Sequence, residues 1–512
     1  MSRVKFWSWL LAILIVGAAV RLYGLGDDPF WLDEAHTANF TTLSISELLS
    51  WRRPYDLGNP PGYVLLLKLW VQVSRSDVWM RAMSALAGIF TLPLVYLIGV
   101  RLFTRRVALV AMAFLAVAGY HIRFSQEARA YALVALVASG AILAVAQLMT
   151  QPNGDLADRV RGNRPWVVSE AGLGLRRPLT WTDIAWPTYT VLAGGVFLIH
   201  STGVGLAVAA NIAVAIWWLR TKPRPPRFAR NWIVANLGVV VIWMLWVPGF
   251  VNQARDIVER WWVPEPTFLS VMEGGADLIA PSFGWDLPWN GQTWGAATLV
   301  VVSLILIWIG LRGKCRNARL LVWSFLLTLP AIELVFSIRR PIFLTRTLTW
   351  VMIPLALGLA LAATRPRRLW PATTAVLLVV SITGGIAYHS THEKSGWDEA
   401  ADLVADSAGP ESLVLVQPAN TIVAFNHYFV RLAVETTIHA VPARIPDRIA
   451  RGPTVVDSDR EQIRQLADGY EEVWLVANRP DEAFESTLES LATDFERHRL
   501  KDLVVVRYEI GG

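Results

Sequence analysis

The chain has 512 residues, of which 54% are hydrophobic and only 17% charged, and it holds many apolar runs of membrane-spanning length. This excludes a soluble globular protein and defines a polytopic one, with 25 Trp, many near the ends of apolar runs, as expected of two interfacial belts. The net charge of +6 does not mark a nucleic-acid partner, because most arginines lie in short clusters between apolar segments, where they set orientation.

In chain order, Arg3 and Lys5 precede a first apolar run that no small-residue cleavage site follows, so it reads as a retained helix. Spans are predicted at 6–24, 82–102, 107–121, 128–149, 186–201, 203–219, 232–250, 294–311, 319–337, 347–364 and 370–388, about eleven crossings. The run "PPGYVLLLKLWVQV" at 60–73 is short, opens on Pro60 and Pro61, and carries Lys68 at its centre. If it lies on the surface, the clusters around Arg101, Arg105 and Arg106, Arg220 to Arg230, Arg312 to Arg319, and Arg365 to Arg368 all face the cytoplasm. If it crossed, every cluster would flip. An interfacial helix in a long first outer loop is therefore predicted.

This topology puts the N-terminus in the cytoplasm and the loop 25–81, the turn 121–127, the loop 251–293, the connection 339–346 and everything after 389 outside. The Arg-rich stretch 150–185 stays inside. The chain divides into a transmembrane domain, 1–389, and a soluble extracytoplasmic α/β domain, 390–512. In the latter, runs such as "SLVLVQ", "EVWLVAN" and "DLVVVRYEI" alternate with helix-like "DREQIRQLADGY" and "DEAFESTLESLATDFERH". It has no glycine-rich phosphate loop. The single cysteine, Cys315, excludes an intramolecular disulfide, and no Cys/His cluster has zinc spacing.

Ionisable groups are costly near apolar spans, and here they gather on the outer side. "FWLDEAHTANF" carries Asp33, Glu34 and His36 among aromatics, "YHIRFSQEARAY" carries Gln126, Glu127, Arg129 and Tyr131, and His200 closes the fifth span. Arg339, Arg340 and Arg346 flank the short connection "RRPIFLTR". Together they predict one outward-facing cavity rimmed by carboxylates, arginines and a histidine. Simpler readings stand beside this one. Asp27 and Asp28 are turn formers, Glu127 and Arg129 form either a structural ion pair or part of the site, and a lone His200 fits a satisfied core position. Arg346 also fits a snorkelling anchor.

The ordered motifs "WLDEA", "NPPGYVLLLKLW", "RAMSALAGIFTLPLVYLIGVRLFTRR", "FSQEARAYAL", the histidine closing a mid-chain span, "RPIFLTRTL" and "GWDEAADLV" resemble membrane glycosyltransferases of the GT-C fold. The nearest branch is the bacterial one related to protein O-mannosyltransferases and the lipid A aminoarabinose transferase. The resemblance implies a polytopic α-helical enzyme of the plasma (inner) membrane that moves a sugar from a polyprenyl-phosphate donor to a protein, lipid or glycan acceptor, with inversion. It implies that Asp33 and Glu34 form the catalytic pair, with Asp33 as the base and Glu34 shaping the site or holding the loop. A carboxylate in hydrogen-bond reach can take the proton of an attacking hydroxyl, and cations at the departing phosphate lower the barrier. Arg129 and Arg346 are the candidates for that clamp, with Glu127, Gln126, His200, Asn59 and Tyr131 as further donor-site residues. Two positions depart from the family's pattern: Asn59 stands where relatives often have His before the Pro pair, and His200 is followed by Ser201 rather than Tyr. Some relatives bind a divalent metal; the replaced His argues against assigning one, and no cofactor is assigned. A transporter of lipid-linked glycans is the competing class, but it calls for inverted repeats and midplane charges that the sequence does not show.

Overall fold

The computed structural model describes residues 3–50, 59–150, 181–252, 263–281, 289–313, 316–391, 394–441, 457–478 and 480–511. The Arg-rich stretch 151–180 and parts of the predicted outer loop, 253–262 and 282–288, lie outside the described residues.

Helix α1 (Arg3–Leu22) leads into the first loop, which holds α2 (Leu32–Phe40), α3 (Ile45–Leu48) and α4 (Gly62–Trp70). The bundle continues with α5 (Asp77–Leu102), α6 (Arg105–Val117), α7 (Gly119–Ser125), α8 (Tyr131–Met149), α9 (Trp181–Ile199), α10 (Gly203–Arg220) and α11 (Phe228–Met244). After α12 (Phe268–Asp277) come α13 (Trp289–Leu311), α14 (Arg316–Ser337), a 3-10 turn (Thr345–Val351) running into α15 (Met352–Thr364), and α16 (Trp370–Thr391). Every predicted span overlaps one of these helices or, at 107–121 and 347–364, two consecutive elements. Among the described residues seven are long and apolar enough to cross a membrane, eight if the bent pair α6–α7 is one span. Helices α1, α9 and α11 match predicted spans but fall short of that length or apolarity. The protein is an integral membrane protein. The span ending in α15 is 89% buried and central, whereas that of α16 is 17% buried and peripheral. With nine residues, α4 is too short to cross a hydrocarbon core of about 30 Å.

The α6–α7 break is where the sequence and the bilayer conflict. Ala118 is extended and the chain turns by 60°, which frees the Leu115 and Ala116 carbonyls from their helical partners. In a membrane such groups must be satisfied by the protein. The fully buried Arg21 of α1 does this: Nη2 donates to Leu115 O at 2.9 Å and Nη1 to Ala116 O at 2.9 Å. Beyond the break, a Cβ on Gly119 would lie 2.5 Å from Gly385 Cα, so α7 and α16 meet backbone to backbone.

The remaining chain forms α17 (Trp397–Ser407), β1 (Ser412–Gln417), α18 (Ile422–Phe429), β2 (Thr437–Ala440), α19 (Asp457–Ala467), β3 (Glu472–Asn478), α20 (Glu482–Glu489), β4 (Ala492–Leu500) and β5 (Leu503–Ile510). The sheet order is β2-β1-β3-β5-β4, with β1 parallel to β2 and β3, and β5 antiparallel to β3 and β4. One sheet face, with Leu413, Leu415 and Val473, packs on Ile463 of α19 and Phe484 of α20. The other, with Val414, Val416 and Trp474, shares a continuous core with Trp397, Phe425 and the bundle. The stretch "DEAFESTLESLATDFERH", predicted as helix throughout, is helical only to Glu489; Ala492–Leu500 is the edge strand β4. Its mostly exposed residues carry charge instead of an apolar alternation, which protects an open sheet edge and removes the strand signal.

Candidate active site

Asp33 and Glu34 occupy the first turn of α2, where the helix dipole favours carboxylates. Side chains of adjacent helical residues diverge, and these two meet different surroundings. Glu34 is fully buried. Arg81 of α5 grips it in a two-pronged way, Nε to Oε1 and Nη2 to Oε2, both at 2.8 Å. The Ala128 N–H adds a 2.8 Å bond to Oε1, and Lys394 Nζ lies 3.2 Å from Oε2. Burial opposes ionisation of Glu34, yet Lys394, Arg81 and Ala128 together outweigh it and lower its pKa.

Asp33 instead faces two guanidiniums. Arg346 Nη1 lies 2.7 Å from Oδ2 and Arg129 Nη2 3.7 Å from the same oxygen, and the carboxylate keeps 26% of its surface. The sequence places Asp33 among Phe30, Trp31 and Phe40; in space its carboxylate is held by arginines drawn from the turn before α8 and from the 3-10 turn before α15. Arg129 is itself anchored, its Nη1 donating to Thr37 Oγ1 at 2.7 Å and to Asp33 O at 3.1 Å. Arg346 lies over the Trp31 ring at 5.8 Å.

His200 stands in the turn between α9 and α10, its ring 5.6 Å from that of Tyr131, over which Arg129 sits at 5.9 Å. Its Nδ1 accepts from the Thr202 N–H at 3.3 Å and pairs with Thr202 Oγ1 at 2.9 Å. Asn59 precedes the Pro pair at the start of α4, where the chain runs against the end of α9: a Cβ on Gly62 would come within 2.3 Å of Leu198 O.

The predicted residues do not share one cavity. Gln126 donates to Tyr23 O at 2.8 Å, and Glu127 pairs with Arg123 at 3.1 Å. Both line a cavity of about 970 Å³ between α1, α7 and α16, whose wall also includes Lys394 and the buried Arg81. Asp33, Arg129, Arg346 and His200 do not line it. Burial raises the Glu127 pKa, with Arg123 and Lys394 opposing. Two residues of the site were not singled out from the sequence. Arg81 opens "RAMSALAG" 47 positions from Glu34, and Lys394 is 360 away. Their only mark is a charge at the edge of an apolar run.

The residues present do not fit a divalent metal. Two guanidiniums already face Asp33 and four donors enclose Glu34; among the described residues no three His, Cys, Asp or Glu side chains converge as ligands.

No protein-family model matches the chain, and no curated protein matches it in sequence. Solved structures share its fold. ArnT from Cupriavidus metallidurans in the apo state superposes with a TM-score of 0.63 at 15% identity, over 98% of each chain. The same protein bound to undecaprenyl phosphate gives 0.59 at 15% identity, again over 98% of each chain. The apo Archaeoglobus fulgidus oligosaccharyltransferase gives 0.51 at 11% identity, over 92% of this chain and 70% of that one. The fold is therefore the GT-C type, a polytopic helical bundle followed by a small α/β unit.

Proposed function

We propose that this protein is a glycosyltransferase that moves a sugar from a polyprenyl-phosphate donor to an acceptor on the outer face of the inner membrane. The observation that carries this reading is the Asp33 carboxylate, partly exposed and 2.7 Å from Arg346, in a fold shared with an ArnT structure that holds undecaprenyl phosphate. The orientation follows the arginine clusters, with the N-terminus cytoplasmic and the α/β domain from about residue 390 outside.

In this reading the acceptor hydroxyl attacks the anomeric carbon as the carbon–oxygen bond to phosphate breaks. The hydroxyl proton passes to Asp33, and the bonding electrons leave on the phosphate oxygen, where Arg129 and Arg346 offset the new charge. One displacement inverts the anomeric carbon. Before donor binds, the two guanidiniums are held by Asp33; a donor phosphate competes for them and releases the carboxylate to act as base. Glu34 is the positioning carboxylate, clamped by Arg81. Tyr131 and His200 support Arg129, Asn59 lies at the approach to them, and Gln126 and Glu127 form the wall of the adjoining cavity.

Purified protein given a polyprenyl-phosphate sugar and an acceptor is expected to release sugarless carrier. Asp33→Asn is expected to cut that rate by roughly 10²–10⁴-fold while the protein stays folded. Full activity in Asp33→Asn would remove Asp33 as the base. Movement of the lipid-linked sugar across vesicles without transfer would instead favour a transporter.

A further inference from the structure

A second cavity, of about 810 Å³, lies between α10, α13 and α14 and takes none of its lining from the site around Asp33. Its walls are apolar: Val208, Ile212 and Ile216 recur every fourth residue along α10, and Trp323, Leu327 and Ala331 do so along α14. One end is different. Arg220 closes α10, Arg312 follows α13, and Arg316 and Arg319 open α14, so four guanidiniums from three helices border one cavity. No Asp or Glu is among its lining residues. All four arginines are exposed, and Arg312 lies over the Trp308 ring at 3.5 Å, which extends the apolar wall up to the charge.

Orientation alone does not require this convergence. Arg105 and Arg106 also sit at a helix end, yet they rest over Phe6 at 5.4 Å and Trp370 at 4.7 Å and do not line this cavity. Four like charges at the mouth of an apolar cleft repel one another, and an anion placed between them relieves that repulsion. The ligand must also satisfy the walls. A free phosphate would meet the arginines and leave the groove unfilled, whereas a polyprenyl phosphate held at Arg346 has its phosphate at the other end of α14. From Arg319 to Ile332 the groove runs about 20 Å along α14, enough for acyl chains that fill one leaflet of about 15 Å.

We propose that this cavity binds an anionic diacyl phospholipid of the cytoplasmic leaflet, its phosphate on Arg220, Arg312, Arg316 and Arg319 and its acyl chains along α10 and α14. Basic pockets between helices on the cytoplasmic side suit such head groups. The inference does not depend on the transfer reaction.

The test uses the full-length protein in detergent micelles, with bound lipid counted by native mass spectrometry and Tm followed as lipid is added. Phosphatidylglycerol is expected to remain bound and to raise Tm; phosphatidylcholine of the same chains and inorganic phosphate are not. The variant R312Q/R316Q/R319Q is expected to weaken phosphatidylglycerol on the order of 100-fold. The equal charge loss R105Q/R106Q/R368Q, at exposed arginines that do not line the cavity, should leave binding unchanged. Equal retention of phosphatidylcholine, undiminished binding by the first variant, or equal loss in the second would overturn the proposal. If the first variant does not fold, Ile212→Trp, which fills the groove, must displace the lipid; retention there overturns it as well.

Discussion

Arg81 and Glu34 form a two-pronged ion pair, both contacts at 2.8 Å, with side chains only 1% and 0% exposed. One position earlier, Asp33 makes a single 2.7 Å contact with Arg346, and those side chains keep 26% and 20% of their surface. The two neighbouring carboxylates therefore do different physical jobs. A pair sealed from water cannot exchange partners cheaply, because each charge is left uncompensated when the other goes. A half-open pair can, because water and salt share in its solvation.

Glu34→Gln is accordingly expected to cost stability. Removing one partner of a buried pair leaves Arg81 and Lys394 without their anion, a loss of about 3–5 kcal/mol. Denaturant unfolding in detergent would read it. The pH dependence has a definite sign: with the Glu34 pKa lowered in the folded state, its contribution is full above the ordinary carboxylate range and is lost as pH falls through the depressed value. A Glu34→Gln protein as stable as wild type would remove the anchor role.

Arg346→Lys should behave in the opposite way. Its pair with Asp33 is part-exposed, so stability should change by no more than about 1 kcal/mol. A lysine keeps the charge but loses the planar fork that suits phosphate. Transfer activity is expected to fall by roughly 10²–10³-fold. If activity stays near wild type, or if stability falls as far as in Glu34→Gln, Arg346 is a structural anchor and not part of a phosphate clamp.

What the sequence made legible was local. "FWLDEAHTANF" and "FSQEARAY" carried Asp33 and Arg129 as clustered charges beside apolar runs, and the period and length of those runs located the helices. What it hid was long-range or negative. Arg21 looks like the cationic end of α1, and its task at the α6–α7 break depends on a bend nearly a hundred residues later. Lys394 reaches Glu34 across 360 positions and leaves no periodic trace. Strand β4 was missed because an exposed edge strand lacks the apolar alternation that identifies buried ones.

Tyr428 joins the α/β domain to the loop that carries Asp33. Its hydroxyl oxygen accepts from the Phe30 N–H at 2.5 Å and donates to Asp77 at 3.0 Å, while His427 stacks on Phe30 at 4.9 Å. Tyr428→Phe leaves the buried Phe30 N–H without this acceptor, at a cost of about 1–3 kcal/mol. Hydrogen exchange is expected to accelerate at 30–40 and in α18, with the sheet core unchanged. Acceleration confined to the sheet would show that Tyr428 does not couple the two units.

Glu127 gives a pH signature opposite in sign to that of Glu34. Burial raises its pKa, with Arg123 and Lys394 opposing. The folded protein then binds more protons than the unfolded chain above the ordinary carboxylate value, so this stability is present below that value and is lost as pH rises through the higher one. Glu127→Gln, which stays neutral at every pH, should therefore lose less stability than wild type as pH rises from the carboxylate range, measured by denaturant unfolding in detergent. A profile parallel to that of wild type would mean that the Glu127 carboxylate is as readily ionised in the folded protein as in the unfolded chain, and would remove burial as the dominant influence on it.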